Sequence, residues 1–317
     1  MKILYVTEAR LPTEKAHGIQ ISKTCEALAR AGADVTLIHP WRLQVNEDLK
    51  DKDAWTAYGI ERNFRIVTLP CIDLLWLEHV LHTSLLFAYP IMTISFGIIA
   101  TLYALLSGIS SIYSRHFLTV ALLTPLRLLS KKRLFYEAHD FPTAGLMKRF
   151  KGAILSRIQG TVVITERLSE LYRELGVEKE GLLVASDAVD IERFSGADPV
   201  GIRKDLQLPE DTRIVCYTGN LYRWKGVHTL ALSEMHLPPD CHIIIVGGSA
   251  ADHNITEFKE FIESEGIENV TVTGFIPHDR IPGYLADTDV LVLPNSAQET
   301  MSREYTSPLK LFEYMAS

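Results

Sequence analysis

The sequence predicts an α/β fold with two domains, each built on a parallel sheet. Apolar runs of strand length alternate with amphipathic stretches of helical length along most of the chain. The 317 residues exceed the usual size of one domain, and a hydrophobic content of 47% is enough for two cores. A small, turn-prone stretch at 195–201 separates two series of strands. We therefore place the domains at 1–195 and 196–317.

Taken in order, the strands of the first domain are predicted at 2–7, 34–39, 64–69, 110–114, 133–137, 161–164 and 182–185. Helices fall between most of them, including 19–30 and 166–175. The strands of the second domain are predicted at 213–217, 241–246, 270–273 and 290–293. This alternation is typical of parallel sheets covered by helices on both faces.

The last predicted strand leads through a polar loop into a helix with the features of a phosphate site. Ser307 is a good N-cap and Pro308 a good first helical residue, so free backbone N–H groups and the positive end of the dipole would face a ligand. Lys310 would meet phosphate charge, and Glu313 on the same face would accept hydrogen bonds from a ribose diol. The opposite, buried face would hold Leu309, Phe312 and Met315.

This segment resembles the donor-site helix of the family 4 retaining glycosyltransferases, which have the GT-B fold. Three further segments support the resemblance: the opening strand with His17 and Gly18 beyond it, residues 136–140 and residues 217–226. The resemblance implies two Rossmann-like domains facing a cleft, with a nucleoside-diphosphate sugar on the second domain and the acceptor on the first. Members of the family continue past this helix, so we expect the chain to be truncated and its second domain incomplete.

The resemblance also assigns residues to the donor. The loop that begins at Gly219 corresponds to the phosphate-binding loop, with Lys225 at the usual lysine position and Arg223 supplying a second charge. Gly18 would bring a backbone N–H close to the diphosphate, which only glycine permits. A branch of the family shares the local sequence around Lys310, so we expect Thr306 and Ser307 to face the donor.

His139 follows the strand at 133–137, so it lies at the carboxyl edge of the sheet, where open α/β folds bind ligands. A histidine there donates a hydrogen bond to a sugar hydroxyl or to the reacting acceptor. The family has an important histidine in this neighbourhood, and the resemblance gives His139 that role. We expect Asp140 to orient the ring or contact the acceptor, with His17 on the acceptor side.

Metal and cofactor chemistry is not expected. Cations and helix ends can neutralise the departing diphosphate, and Asp287 and Asp289, formally a DxD motif, fall where a helix ends and a strand begins. A dinucleotide-binding glycine motif and a Walker loop are absent, and the four cysteines are widely spaced. A net charge of −7 argues against nucleic-acid binding.

Residues 79–114 contain no Lys, Arg, Asp or Glu, which leaves three interpretations open. The segment packs in the core of the first domain, docks on a lipid surface, or spans a membrane, the last weakened by Pro90 and Gly97. The next stretch, 115–157, carries nine basic residues against two acidic ones, which suits an anionic membrane surface.

We therefore expect a metal-independent retaining glycosyltransferase that acts on a sugar or lipid-linked acceptor in polysaccharide biosynthesis. The chain starts in a strand without a secretory signal, so we expect it in the cytoplasm, peripheral on the inner face of the membrane. One alternative is a nucleotide-sugar epimerase or phosphorylase on the same fold. A second is an inactive, membrane-associated scaffold.

Overall fold

The computed structural model describes residues 1–81, 83–248 and 253–317, which form two compact units, Met1–Ser186 and Asp187–Ser317. The division falls ahead of the predicted boundary at Ser195. The reason is the short helix Ile191–Ser195, whose Phe194 is buried in the core of the second unit with Ile202 and Ile281. The turn-prone stretch that suggested the boundary therefore lies inside unit 2.

Unit 1 contains one sheet of seven parallel strands in the order β3-β2-β1-β4-β5-β6-β7. The strands are β1 Lys2–Val6, β2 Asp34–Pro40, β3 Arg65–Leu69, β4 Ser111–Ser114, β5 Arg133–Ala138, β6 Gly160–Val163 and β7 Leu182–Val184. The order reverses between β1 and β4, and ligands bind beyond the carboxyl ends of strands at such a point.

Helices cover the sheet of unit 1. They are α1 Ala16–Arg30, α2 Ala54–Tyr58, α3 Trp76–Leu81, α4 Ala88–Leu106, α5 Phe117–Leu129, α6 Gly145–Leu155 and α7 Glu166–Glu174, with 3₁₀ turns at Glu47–Leu49 and Lys179–Gly181. One core cluster joins β1, β2 and α1 through side chains such as Tyr5, Leu37 and Ile21.

The apolar segment forms α4, which packs along α5. Pro90 lies in the first helical turn, where its missing N–H costs little, and the helix is continuous. A Cβ on Gly97 would come within 2.3 Å of Leu122 Cδ1, so the glycine permits a close crossing of the two helices. Only one face of α4 is buried. The other exposes apolar side chains at helical spacing, among them Ile94, Ile98, Leu102 and Leu105.

Unit 2 contains four parallel strands in the order β10-β9-β8-β11, namely β8 Arg213–Thr218, β9 Cys241–Val246, β10 Val270–Gly274 and β11 Val290–Leu291. The helices are α8 Ile191–Ser195, α9 Ile202–Asp205, α10 Val227–Leu232, α11 His253–Ser264, α12 Ile281–Ala286 and α13 Leu309–Ala316. Short 3₁₀ turns occur at Arg223–Lys225 and Ser233–His236, and a π-helical turn at Met301–Tyr305. Every strand predicted from the sequence is present in the expected order.

The start of α13 differs from the prediction. Pro308 is the N-cap residue, in extended conformation, and the helix begins at Leu309 without a side-chain cap. The Ser307 hydroxyl does not cap it and instead accepts a 3.1 Å hydrogen bond from the Asp187 N–H. The predicted buried face is also wrong, since Met315 is 78% exposed and Lys310 is the buried residue of the helix.

Candidate active site

A pocket of about 290 Å³ lies in unit 1 at the point where the strand order reverses. Residues that follow β1, β4 and β5 line it, together with the start of α1, the first turns of α4 and α5, and one β5 residue: Glu8, His17, Tyr89, Arg115, His116, Phe117, Leu118, Tyr136, His139 and Asp140. The three residues that the sequence assigned to the acceptor side of this domain, His17, His139 and Asp140, therefore share one pocket.

His139 is paired with a carboxylate that the sequence analysis missed. Its Nε2 lies 2.5 Å from Glu137 Oε1, and Tyr5 donates a 3.3 Å hydrogen bond to the other oxygen. Burial alone would raise the pKa of Glu137, but the hydrogen bond and charge of His139, with Arg115, lower it to about 2. Glu137 is therefore ionised, and its hydrogen bond to Nε2 fixes the orientation of the His139 ring, as the carboxylate of a catalytic dyad does.

Asp140 does not orient His139. Its carboxylate is 2.9 Å from the Nζ of Lys151, which is only 4% exposed. The Lys151 ammonium also lies 5.1 to 5.3 Å from the ring centres of Phe117, Tyr136 and Tyr172, an aromatic cage that favours a cation. Asp140 is thus fixed by α6 and remains at the pocket wall.

Glu8 is a buried carboxylate at the base of the pocket. Tyr89 and Thr93 of α4 donate hydrogen bonds of 2.7 and 3.0 Å to Oε2, and Thr119 of α5 donates one to Oε1. His116 Nδ1 lies 3.7 Å from Oε2. A buried charge is tolerated only when it is satisfied in this way, so Glu8 ties the apolar α4 to the pocket.

Gly18 lies in the first turn of α1, where its N–H donates a 3.0 Å hydrogen bond to the Lys15 carbonyl. A Cβ at this position would come within 2.4 Å of the Tyr58 hydroxyl and 2.5 Å of Thr13 Cγ2. Packing alone therefore requires a glycine here. The contact between its N–H and a diphosphate stays a prediction.

In unit 2, the loop after β8 packs closely against other parts of the unit, including the backbone of the loop after β11. Gly219 has a φ of 133°, and a Cβ there would lie 2.8 Å from Lys310 Nζ. Gly226 has a φ of 77°, and its Cβ would lie 1.8 Å from the Pro294 carbonyl oxygen in the loop after β11. Ser296 of that loop donates a 3.0 Å hydrogen bond to the Trp224 carbonyl. The loops after β8 and β11 thus meet at the strand-order reversal of unit 2.

Two lysines meet in this region. Lys225 Nζ lies 3.9 Å from the centre of the Trp224 ring, and burial lowers its pKa to about 8. Lys310 Nζ lies 3.9 Å from the centre of the Tyr217 ring and has no hydrogen-bond partner among the described residues. Burial, and then the charge of Lys225, lower the pKa of Lys310 well below its usual value. Two desolvated amines, one of which lowers the pKa of the other by its charge, form a site that an anion would stabilise.

The other predicted donor residues surround this site. Glu313 already has a partner within unit 2, because His278 Nε2 lies 3.0 Å from its Oε1. Thr306 follows the π-helical turn in extended conformation, and Ser307 is bonded to Asp187 as described. Arg223 is exposed at the start of the 3₁₀ turn that carries Lys225.

The two aspartates of the DxD motif hold the fold of unit 2. Asp287 Oδ2 accepts hydrogen bonds of 2.7 and 2.5 Å from the N–H groups of Gly201 and Ile202, at the start of α9. Asp289 Oδ2 accepts a 2.7 Å bond from the Ile214 N–H and a 2.5 Å bond from Arg203. In 1–81, 83–248 and 253–317, no group of three or more His, Cys, Asp or Glu residues is arranged to hold a metal ion.

The basic stretch 115–157 does not form one surface. Lys151 is buried, and Arg115 lines the pocket. Lys132 donates a 2.8 Å hydrogen bond to the Ile109 carbonyl, and Arg133 donates one of 2.9 Å to the Ser111 hydroxyl. The sequence shows how many basic residues the stretch contains. It does not show that several of them bind other groups of the protein.

Similarity to known proteins agrees with this geometry. Residues 201–317 match the family model of glycosyl transferases group 1. A protein of Bacillus subtilis strain 168 named for teichuronic acid biosynthesis, the glycosyltransferase TuaC, is 28% identical over 156 residues, 49% of this chain and 37% of that protein. The 2-deoxystreptamine glucosyltransferase of Streptomyces kanamyceticus is 26% identical over 153 residues, 46% of this chain and 39% of that enzyme. The matched regions thus span under half of these relatives.

Among solved structures, Anabaena HepE in complex with UDP and glucose superposes with a TM-score of 0.70 at 18% identity, covering 100% of this chain and 78% of that one. Such identity establishes the fold rather than the activity. This protein consists of two Rossmann-like units with parallel sheets, and it superposes on HepE over its full length. It therefore has the GT-B fold of glycosyltransferases.

Several residues of the two sites carried signals that the sequence reasoning did not use. Glu137 and His139 are two apart at the end of a strand, so their side chains share a face. Glu8 and Arg115 each directly follow a parallel strand and its terminal polar residue, Thr7 and Ser114. Tyr217 and His278 gave no signal, because only the folded chain brings them to Lys310 and Glu313.

Proposed function

We propose that this protein transfers a sugar from a nucleoside-diphosphate sugar to an acceptor hydroxyl with retention of anomeric configuration. The observation that carries the proposal is the pair of desolvated lysines, Lys225 and Lys310, beside Gly219 in the family-matched unit. A diphosphate leaving group develops negative charge as the glycosidic bond breaks, and fixed cations at that point stabilise it. UDP in a superposing GT-B protein supports the choice of donor.

The proposed mechanism uses no metal and no additional cofactor. Lys225, Lys310 and Arg223 compensate the diphosphate, while Asp287 and Asp289 are committed to backbone and arginine contacts. We assign Gly219, Thr306, Ser307 and Glu313 to the walls of the donor site, with Glu313 held in place by His278 for a ribose contact.

In unit 1, the acceptor binds the pocket in which His139 is backed by Glu137. The ionised carboxylate fixes the orientation of the imidazole, so His139 can exchange a proton or hydrogen bond with a sugar hydroxyl during transfer. The relative named for teichuronic acid biosynthesis supports an acceptor from envelope polysaccharide synthesis.

We further propose that unit 1 contacts a lipid surface from the cytoplasmic side. By length and composition the 19 residues of α4 would suffice to cross a membrane. Its inner face, however, packs on α5, and its outer face exposes an apolar stripe through Ile94, Ile98 and Leu102, each about half exposed. An exposed apolar stripe of this kind is typical of a surface that contacts lipid or another protein.

The donor and the stereochemistry are tested together. Thermal shift against UDP-, GDP- and ADP-sugars identifies the donor, and ¹H NMR of its slow hydrolysis reports the first anomer released. An α-configured donor should give the α anomer first. Release of the β anomer would overturn retention, and no stabilisation by any nucleotide sugar would overturn the donor assignment.

The membrane contact is tested by vesicle co-sedimentation of the double variant Ile98→Asp and Leu102→Asp. Both side chains are exposed, so the fold should survive, and vesicle binding should be lost. Met235→Asp, at an exposed position in unit 2, is the matched control. Equal sedimentation of wild type and double variant would refute the contact through α4.

A further inference from the structure

The unit 1 pocket contains a guanidinium group that forms no salt bridge with any of the described residues. Arg115 follows β4 and lines the pocket. Its Nη1 donates a 2.6 Å hydrogen bond to the side-chain oxygen of Gln20, which is neutral. Across the described parts of the chain, Arg115 forms no ion pair. Because guanidinium carries five N–H donors, several remain for a ligand.

The carboxylates near Arg115 are already compensated by other groups. Three hydroxyl groups donate hydrogen bonds to Glu8. Asp140 is paired with Lys151 at 2.9 Å, and Glu137 with His139. Each of these carboxylates therefore has partners other than Arg115, whose guanidinium is left without a salt bridge among the described residues and can pair with an anionic ligand.

The charge of Arg115 also acts on the two neighbouring histidines, His17 and His116. Burial, followed by the charge of Arg115, lowers the pKa of His17 to about 3. Burial also lowers the pKa of His116 to about 4, with Arg115 adding to the effect and Glu8 opposing it. Both rings are neutral at pH 7. The single N–H of neutral His17 can donate to an oxygen ligand, whereas His116 Nε2 lies 3.2 Å from the Thr7 hydroxyl.

We propose that Arg115, assisted by His17, binds an anionic group, a phosphate or carboxylate, carried by the acceptor. Planar guanidinium donors match both groups with paired hydrogen bonds. The proposal rests on the proposed function, since it takes the unit 1 pocket as the acceptor site. It restricts the acceptor class to sugars or lipids that bear an acidic group near the hydroxyl to be glycosylated.

The test is NMR of the histidine imidazoles during titration with inorganic phosphate. The Lys225→Ala background is used, because the lysines of unit 2 are expected to bind phosphate as well. The resonances of His17 and His116 should shift, and Arg115→Gln should weaken this response by about tenfold or more. Arg62→Gln, at an exposed arginine paired with Asp53, is the matched control and should behave as the background does.

Unmoved histidine resonances, or an unchanged phosphate response in Arg115→Gln, would overturn the proposal. Arg115→Lys keeps the charge without the paired donors and should give an intermediate affinity, which separates recognition from misfolding. Glucose 1-phosphate and vesicles containing phosphatidic acid then distinguish the source of the anion. An Arg115-dependent response to either supports the site, and a response to neither overturns it.

The outcome is separable from that of the proposed function. Nucleotide-sugar binding by unit 2 is measured on the same protein without the Lys225 substitution. If no nucleotide sugar binds while phosphate still shifts the histidines, the transferase proposal fails and the anion site stands. If a nucleotide sugar binds but phosphate has no effect at Arg115, the acceptor inference alone fails.

Discussion

The ammonium nitrogen of Lys310 lies 3.9 Å from the centre of the Tyr217 ring, buried and without a hydrogen-bond partner among the described residues. An amine in this position carries its charge at a cost, and Lys225 nearby increases that cost. A phosphate group would reverse both effects. The unliganded site is therefore held in a state that binding of an anion relieves.

Nucleotide binding should take up protons. The pKa of Lys225 is about 8 and that of Lys310 is well below its usual value, and both should rise when a diphosphate binds. Affinity should therefore fall as pH rises from 7 to 9, because unliganded lysine must then be protonated first. Calorimetry in two buffers of different ionisation enthalpy measures the uptake. Equal binding enthalpies in both buffers would contradict it.

Lys225→Ala should weaken nucleotide binding by an order of magnitude or more. The substitution removes a charge-assisted contact of about 1.5 to 3 kcal/mol. Isothermal titration with the nucleotide of the preferred donor measures the change. Lys259→Ala, at an exposed position of α11, is the control and should bind normally. An unchanged Kd in Lys225→Ala would remove this lysine from the donor site.

Glu137→Gln should lower the rate of sugar transfer or donor hydrolysis by about tenfold or more, because His139 loses the ionised partner that orients its ring. Nucleotide binding by unit 2 should persist. The control is Glu170→Gln, whose carboxylate pairs with Arg167 on the surface. Full activity in Glu137→Gln would show that the dyad has no catalytic role.

Chelation should leave nucleotide binding intact, and Asp287→Ala should affect stability instead. The carboxylate accepts two N–H groups at the start of α9, and loss of such a cap costs about 0.5 to 2 kcal/mol. Tm should fall while the Kd for nucleotide in EDTA stays constant, with Asp211→Ala as an exposed control. Loss of binding in EDTA and its recovery with Mn²⁺ would restore the DxD motif as a metal site.

The strands were predictable because parallel strands buried on both faces are nearly continuous apolar runs, as in β9, where all six residues are buried. The start of α13 was not predictable from the sequence. The Ser307 hydroxyl accepts a hydrogen bond from the Asp187 N–H, 120 residues away in sequence, instead of bonding to the first turn of the helix. Local capping preference cannot anticipate such a competitor.

The candidate sites show the same division. His139 and Lys225 could be singled out because His139 comes just after a recognisable strand and Lys225 lies in a loop bounded by Gly219 and Gly226, and their roles stay predictions. The partner of His139 was assigned to Asp140, the sequence neighbour, but a strand places Glu137 on the same face and leaves Asp140 to Lys151. The apolar character of α4 was evident, whereas its division into a packed face and an exposed face depended on α5.

The hydrogen bonds from Tyr89 and Thr93 to Glu8 limit what α4 can do at a membrane. Withdrawing the helix into the bilayer would leave a buried carboxylate without two of its donors and open the seam where Gly97 meets Leu122. Lipid contact would therefore have to occur while α4 stays packed on unit 1, through its exposed face and without insertion of the helix across the bilayer. A protein attached in this way would bind the bilayer reversibly without unfolding, and its pocket would stay assembled both on and off the membrane.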